Sequence, residues 1–349
     1  MENGGVDGQT TQVPAGEMQD LVDEHTRKKI ESYAKRFKEA RQEIGKVVIG
    51  QHDMVGLLLE ALITNGHVLI EGVPGIGKTL LVRTLSKIIG CSYSRIQFTP
   101  DLLPTDIVGV TTYEEGKGFF TIKGPVFSNF VLGDEINRSP PKVQSALLQS
   151  MQERQATIGK ETFDLPSPFF VMATQNPVEN LGTYKLPEAQ LDRFIFKLMM
   201  EYPNIDEEEN ILDNNMSLQN FDSFDVHSIF NPDEIIEIQG IARKIHMDDK
   251  IKRYIVRLID ATRFPQKYNL DLASKYVNFG ASPRGSISLF IASKVRALTS
   301  GRWYVTHKDV KDLAVHVLRH RILLNFEGEA EGINTASIVK EITDNVPLL

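Results

Sequence analysis

The stretch Gly72-Val73-Pro74-Gly75-Ile76-Gly77-Lys78-Thr79 limits what this chain can fold into more than any other. It satisfies the phosphate-loop pattern, in which a Gly is followed after four free positions by Gly-Lys-Thr. Its flanks match what the pattern needs. His67-Val68-Leu69-Ile70 is a short apolar run suited to a buried strand, and Leu80-Leu81-Val82-Arg83-Thr84-Leu85 has helical apolar spacing that Gly90 ends. Strand, glycine-rich turn and helix start together surround a phosphate with backbone N–H groups and the positive end of a helix dipole. Lys78 then reaches the β- and γ-phosphates, and the Thr79 hydroxyl is placed to ligate Mg²⁺. A chance match in an ordinary turn does not account for both flanks. The expectation is a nucleoside triphosphate site.

With 349 residues the chain has room for one large domain or two ordinary ones. Its 39 Lys and Arg against 46 Asp and Glu leave a formal charge of −7. That mild acidity argues against a dedicated nucleic-acid binder, whose affinity comes from neutralising phosphates, but leaves room for a local basic patch. A single cysteine, Cys91, excludes an internal disulfide and suits a reducing compartment. No apolar run approaches the roughly 18 residues of a membrane span, and no basic-then-apolar signal opens the chain. The expected location is the cytoplasm.

Residues 1–24 are rich in Gly, Gln and acids and read as a disordered tail. From Glu24 to Gly45, Ile30, Tyr33, Phe37 and Ile44 fall at helical spacing. The link Val47-Val48-Ile49-Gly50-Gln51 leads into a second helix, which Gly66 closes. Gly50 and Gln51 could pack beside the base of a nucleotide or simply fill the core. Beyond the phosphate loop, Tyr93 to Phe98 reads as a strand. Glu114-Glu115-Gly116-Lys117-Gly118 separates two further short strands, a hairpin signal. Gly159-Lys160 likewise joins two strands, with Gly first as a type II′ turn requires.

Phe130-Val131-Leu132-Gly133-Asp134-Glu135 is an apolar strand that ends in two acids. A parallel strand buried on both faces reads as such a run, and its carboxyl end is where open α/β sheets bind ligands. Asp134 can hold Mg²⁺ and Glu135 can orient the attacking water. A lone Asp-Glu would be a solvated strand end; the upstream phosphate loop favours the catalytic reading. Pro168 to Thr174 is another buried strand, and Asn176 at its end can hold the water or the γ-phosphate, although Asn-Pro is often only a turn. Leu186 to Phe194 reads as a short helix presenting Arg193, either one half of a surface ion pair with Asp192 or an arginine finger. Beyond Tyr202-Pro203 the pattern reads as helices only, one of them capped by Ser282 with Pro283 in its first turn and Arg284 at its start. The basic run His316-Val317-Leu318-Arg319-His320-Arg321 suits a helix end and has poor spacing for a metal.

Phosphate loop, acidic strand end, polar residue on the next strand, arginine and helical lid with an arginine follow in the order of the AAA+ ATPases. The detail resembles the MoxR family more closely. The matching segments include Val48 to Gln51, Gly72 to Thr79, Phe98 to Asp106, Gly124 to Phe127 and Asp134 to Arg138. Gln144 to Leu148, Ala173 to Pro177, Leu186 to Phe194, Gly280 to Arg284 and Val317 to Arg321 complete the set, over residues 25–349. The resemblance implies an α/β P-loop NTPase core with a parallel central sheet flanked by helices over 25–202, then an all-helical lid over 203–349. The implied catalytic residues are Lys78, Glu135, Asn176 as sensor 1, Arg193 as finger and Arg284 as sensor 2. Nucleotide contacts are expected from Gly50, Gln51, Gly72, Pro74, Gly75, Ile76, Gly77, Lys78, Thr79 and Leu80, and Mg²⁺ contacts from Thr79 and Asp134.

The hairpin near Gly116 looks like the family's helix-2 insert, and Gly159-Lys160 like its pre-sensor-1 hairpin. Gly133 departs from the Ala-like residue that is commoner there, with no consequence for the acids. The resemblance further implies ATP and Mg²⁺ as cofactors, a homo-oligomeric ring (usually a hexamer), a von Willebrand factor A-domain partner and a protein client for chaperone-like remodelling. Two other classes compete. One is a nucleic-acid motor, disfavoured by the acidic balance. The other is a chelatase-type or scaffold subunit whose hydrolysis is gated by a partner.

Overall fold

A computed structural model describes residues 22–72, 77–116, 118–176, 183–213 and 224–348. The expected tail therefore lies outside the described residues as far as residue 21. Helix α1 (Glu24–Gly45) starts where Asp23 accepts the Thr26 N–H at 2.8 Å, and α2 (His52–Ile63) follows the Val47–Gln51 link. Asn65, at φ 56°, takes the left-handed position after α2 that the sequence assigns to Gly66.

Strand β1 (Val68–Gly72) leads through the phosphate loop into α3 (Lys78–Ile89). Then come β2 (Tyr93–Gln97), α4 (Pro104–Val108), the hairpin of β3 (Gly109–Glu114) and β4 (Gly118–Lys123), and β5 (Phe130–Asp134). Helix α5 (Pro141–Glu153) precedes the second hairpin, β6 (Gln155–Ile158) and β7 (Glu161–Asp164). In its turn Gly159 takes φ 63°, as a first position of that type demands. Strand β8 (Phe170–Gln175), α6 (Glu188–Leu191) and β9 (Phe196–Met200) close the core.

The five-stranded sheet has the order β2-β5-β8-β1-β9, every neighbouring pair parallel. Alternation along the strands divides the core. Val68, Ile70, Phe130 and Leu132 pack on one face with α1, α2 and α3, while Leu69 and Val131 pack on the other with Phe98, Leu147 and Phe194. Because all strands are parallel, their carboxyl ends share one edge, and β1 sits between β8 and β9 there. Gly133 is explained by close packing: a β-carbon would lie 3.0 Å from Leu147 and 3.3 Å from the Phe98 ring.

The C-terminal region comprises α7 (Ile205–Asp213), α8 (Pro232–Lys244), α9 (Asp249–Arg263) and α10 (Asp271–Tyr276). Strand β10 (Val277–Phe279), α11 (Pro283–Thr299), α12 (His307–Leu318), β11 (Leu323–Leu324), α13 (Phe326–Ala330) and α14 (Thr335–Asn345) follow. The expectation of helices alone is thus corrected. β10 and β11 form a small antiparallel ladder, with Val277 opposite Leu324, too short to show a period-2 pattern in the sequence. The larger apolar cluster continues from the sheet through α2 into α8, α9, α11, α12 and α14. At that joint the fully buried Glu60 of α2 accepts from Arg296 of α11 at 2.6 Å, and burial pushes its carboxyl above the usual range.

Candidate functional site

Val73 to Ile76 lie outside the described residues, so the structure leaves Pro74, Gly75 and Ile76 unplaced. What brackets them is defined. Gly77 takes φ 84°, and among the described residues a β-carbon on it would meet nothing within 4 Å. The Lys78 ammonium folds back to donate to the Gly72 carbonyl, spanning the loop. Burial lowers its pKa, and Asp134, Glu135 and Glu71 oppose that shift by favouring the charged form. Thr79 and Leu80 follow in the first turn of α3, both half-buried.

The two acids end β5, next but one to β1 in the sheet. Glu135 takes a left-handed backbone at φ 58°, ψ 48°, a strain on the order of 1–3 kcal/mol for a non-glycine residue. A hydrogen-bond relay holds the bend. The Glu135 N–H donates to the Thr174 hydroxyl at 2.9 Å, and that hydroxyl donates to Asp134 Oδ1 at 2.7 Å. Arg95 donates to Asp134 Oδ2 at 2.7 Å and to Gln97 Oε1 at 2.5 Å, while the Gln97 amide donates to Glu135 at 2.8 Å. Arg138 adds an ion pair to Glu135 at 3.3 Å. Asn176 follows β8 directly and is buried at 6% exposure. Lys78, Asp134, Glu135 and Asn176 therefore gather at one edge of the sheet.

Thr174, Arg95 and Gln97 escape a reading by motif. Thr174 lies inside a segment whose only evident signal is Asn176. Arg95 and Gln97 share one face of β2 by their spacing of two, and only the β2–β5 pairing, Gln97 opposite Asp134, brings that face to the acids.

Fit to a divalent cation follows from the donor set. Among the described residues no cluster of three or more His, Cys, Asp or Glu exists to cage a metal. One carboxylate, one hydroxyl and room for phosphate oxygens and water is what Mg²⁺ takes. Among the described residues Asp134 Oδ2 is held by Arg95, whose side chain is 46% exposed and also donates to Gln97.

The two candidate arginines lie elsewhere. Arg193 follows α6, donates to the Leu148 carbonyl at 2.8 Å, and has a buried Nε without a partner. Arg284, exposed at the start of α11, lines the same cleft of about 250 Å³, together with Gly66, His67 and Ile195. Gly66 and His67 precede β1, and the phosphate loop follows its far end. A five-residue strand is about 15 Å long, more than an arginine side chain can span. Asp192 does not pair with Arg193. Its carboxylate accepts from the buried Arg321 at 2.7 Å and from the Ser282 hydroxyl, the cap of the helix bearing Arg284, at 2.8 Å. Arg321 also donates to the carbonyls of Phe194 and Ile195. One buried guanidinium thus holds both arginine-bearing segments, a role the sequence shows only as charge at a helix end. Arg321→Met is expected to lower stability by about 3 kcal/mol or more in urea unfolding, because it strands buried carbonyls and a carboxylate.

Gly50 and Gln51 line a cavity of about 510 Å³ with Leu57, Met199, Tyr202 and His316. These two positions of the link therefore face a cavity rather than the packed core. The register Gly72 opposite Met200 sets this cavity beside the phosphate loop. Gly50 has φ 76°, a left-handed backbone that favours glycine, and the Glu207 carboxyl would have to move aside for a β-carbon there. His316 is held down to about 4 by burial, with Arg319 and Arg296 adding repulsion, so its ring is neutral near pH 7.

A phosphate loop between strand and helix, acids on the third strand along and a helical C-terminal region define a nucleotide-hydrolysing protein of the AAA class. Residues 67–196 match the model of the ATPase family associated with various cellular activities (AAA), and 270–342 match that of the AAA lid domain. The chain is 43% identical over 307 residues to Chaperone MoxR1 of Mycobacterium tuberculosis, covering 88% of this chain and 80% of that protein. It is 45% identical over 308 residues to YeaC of Bacillus subtilis, covering 88% and 93%. A crystal structure of a Cytophaga hutchinsonii protein superposes with a TM-score of 0.87 at 46% identity, covering 93% of this chain and 98% of that one. The chain belongs to the MoxR family of AAA+ ATPases. It is an ATPase. Among the described residues no helix is long and apolar enough to cross a membrane.

Proposed function

We propose that ATP is cleaved at seams between copies of this chain in a ring of six, and that the resulting motion remodels a protein client in the cytoplasm. The observation that carries this reading is the separation of Arg193 and Arg284 from Lys78 along β1. Neither can serve the phosphates of its own loop, and both share a cleft that a neighbouring copy's site can meet. In each site Lys78, Thr79 and the start of α3 hold the phosphates. Glu135 orients the attacking water and takes its proton, and Asn176 holds that water from the other side. Arg193 of the adjacent copy meets the charge that develops on the transferred phosphoryl group, and Arg284 reports which phosphate is present. Mg²⁺ held by Thr79 and Asp134 would neutralise part of the same charge.

Residues 25–202 form the nucleotide core and 203–349 the lid, whose tie to Arg193 through Arg321 and Asp192 supports movement of lid and finger as one body. The β3–β4 hairpin bears exposed Tyr113 and Phe119, their rings 5.2 Å apart, and suits contact with a client. A von Willebrand factor A-domain protein would deliver that client. Two measurements test this reading. Lys78→Ala is expected to weaken ATP binding by about a hundredfold in equilibrium titration, through loss of a charge-assisted contact. Sedimentation with and without ATP should show nucleotide-dependent assembly, and a copy that never associates yet cleaves ATP at full rate would sink the shared site.

A further inference from the structure

We infer that Arg319 contacts the polyphosphate of the nucleotide bound by its own chain, a role that rests on the nucleotide site proposed above. Arg319 caps α12, one turn beyond His316, and residues three apart share a helix face. His316 lines the cavity formed by Gly50 and Gln51, so that face is turned toward the cavity proposed above to take the base. Helix α12 packs on β9, where Met199 and Glu201 line the same cavity and Met199 stands opposite Glu71 of β1. The carboxylates that act on Arg319 are Glu71 and Glu201, and Glu71 acts on Lys78 as well. Arg319 thus lies between the base cavity and the start of the phosphate loop.

Its bonding is unlike that of Arg321 two positions on. Arg321 places all three of its nitrogens on protein acceptors. The Arg319 guanidinium makes no hydrogen bond or ion pair among the described residues, and its Nε is buried without a partner. Glu71 is already taken by Lys197 at 2.7 Å. A half-buried guanidinium whose Nε is buried and unpaired is costly unless a ligand completes it. The ligand that belongs beside this loop is a polyphosphate anion, which a guanidinium grips through two parallel donors. With Arg284 facing the opposite end of β1, Arg319 is a lid cation on the side of the chain's own nucleotide.

Full-length wild type, Lys78→Ala, Arg319→Ala and Arg319→Gln are titrated with a fluorescent N-methylanthraniloyl-ADP, and each is also mixed with Glu135→Gln and assayed for ATP hydrolysis. Both Arg319 variants should bind about tenfold more weakly than wild type, with unchanged melting temperature in the absence of nucleotide. Their hydrolysis should not recover in mixed assemblies, because the missing group belongs to the chain that holds the nucleotide. Wild-type affinity in either Arg319 variant, with Lys78→Ala weakened, overturns the inference alone. So does recovery of activity on mixing. Equal binding by wild type and Lys78→Ala overturns the nucleotide site itself. If one Arg319 variant does not fold, the other decides.

Discussion

Glu135→Gln is expected to cut ATP hydrolysis by at least about a hundredfold while leaving ATP affinity within about threefold of wild type. The carboxamide keeps the size of the side chain and can still meet the Gln97 amide, which bonds Glu135 at 2.8 Å. It cannot accept a proton from water at neutral pH. Lys78 and the start of α3, proposed to hold the phosphates, are untouched. The left-handed backbone at Glu135 and its N–H bond to Thr174 tolerate the change, because neither uses the carboxylate. ATP should therefore accumulate on the protein, and sedimentation should show more assembled material than in wild type. Turnover at the wild-type rate would remove Glu135 from the chemistry.

Arg193→Ala should be more severe. A guanidinium supplied across an interface is worth about 10³ to 10⁵ in rate, so activity should fall by at least a thousandfold with ATP binding retained. The mixing experiment distinguishes this from simple damage. Each Glu135→Gln copy still presents Arg193 to its neighbour, and each Arg193→Ala copy still holds Glu135. Where the two meet in one order, a complete site forms and part of the activity returns. The cleft geometry favours survival of the fold: Arg193 has one protein hydrogen bond, to Leu148, whereas the neighbouring structural tie runs through Asp192 and Arg321. Absence of any recovery in the mixture, with both variants assembled, would place the arginine's action within its own chain.

Much of the site is legible because each element of it is local. Strand, loop and Lys78 are consecutive, and Asp134-Glu135 announces itself by terminating an apolar run. The all-parallel sheet follows from strands alternating with helices. What escaped was relational. Thr174 ties Glu135 to Asp134 across two strands joined through a helix and a hairpin, and the partner of Asp192 comes from 129 residues further along. The neighbouring Asp192-Arg193 dipeptide suggests a pair that the fold does not make. His316 carries no nucleotide signal in the sequence, since its meaning depends on α12 lying against the cavity of Gly50 and Gln51.

The amino-acid sequence by itself settled the class of chemistry and the family. Spacing within a few residues dictates a phosphate cradle and an acidic strand end, whatever surrounds them. Only the tertiary structure decided which groups share a site. It set Lys78, the acids and Asn176 at the carboxyl ends of β1, β5 and β8, and Arg193 with Arg284 at the amino end of β1. The reason is geometric: a rigid, parallel strand holds its two ends farther apart than any side chain can bridge, so a residue at one end cannot serve a ligand at the other.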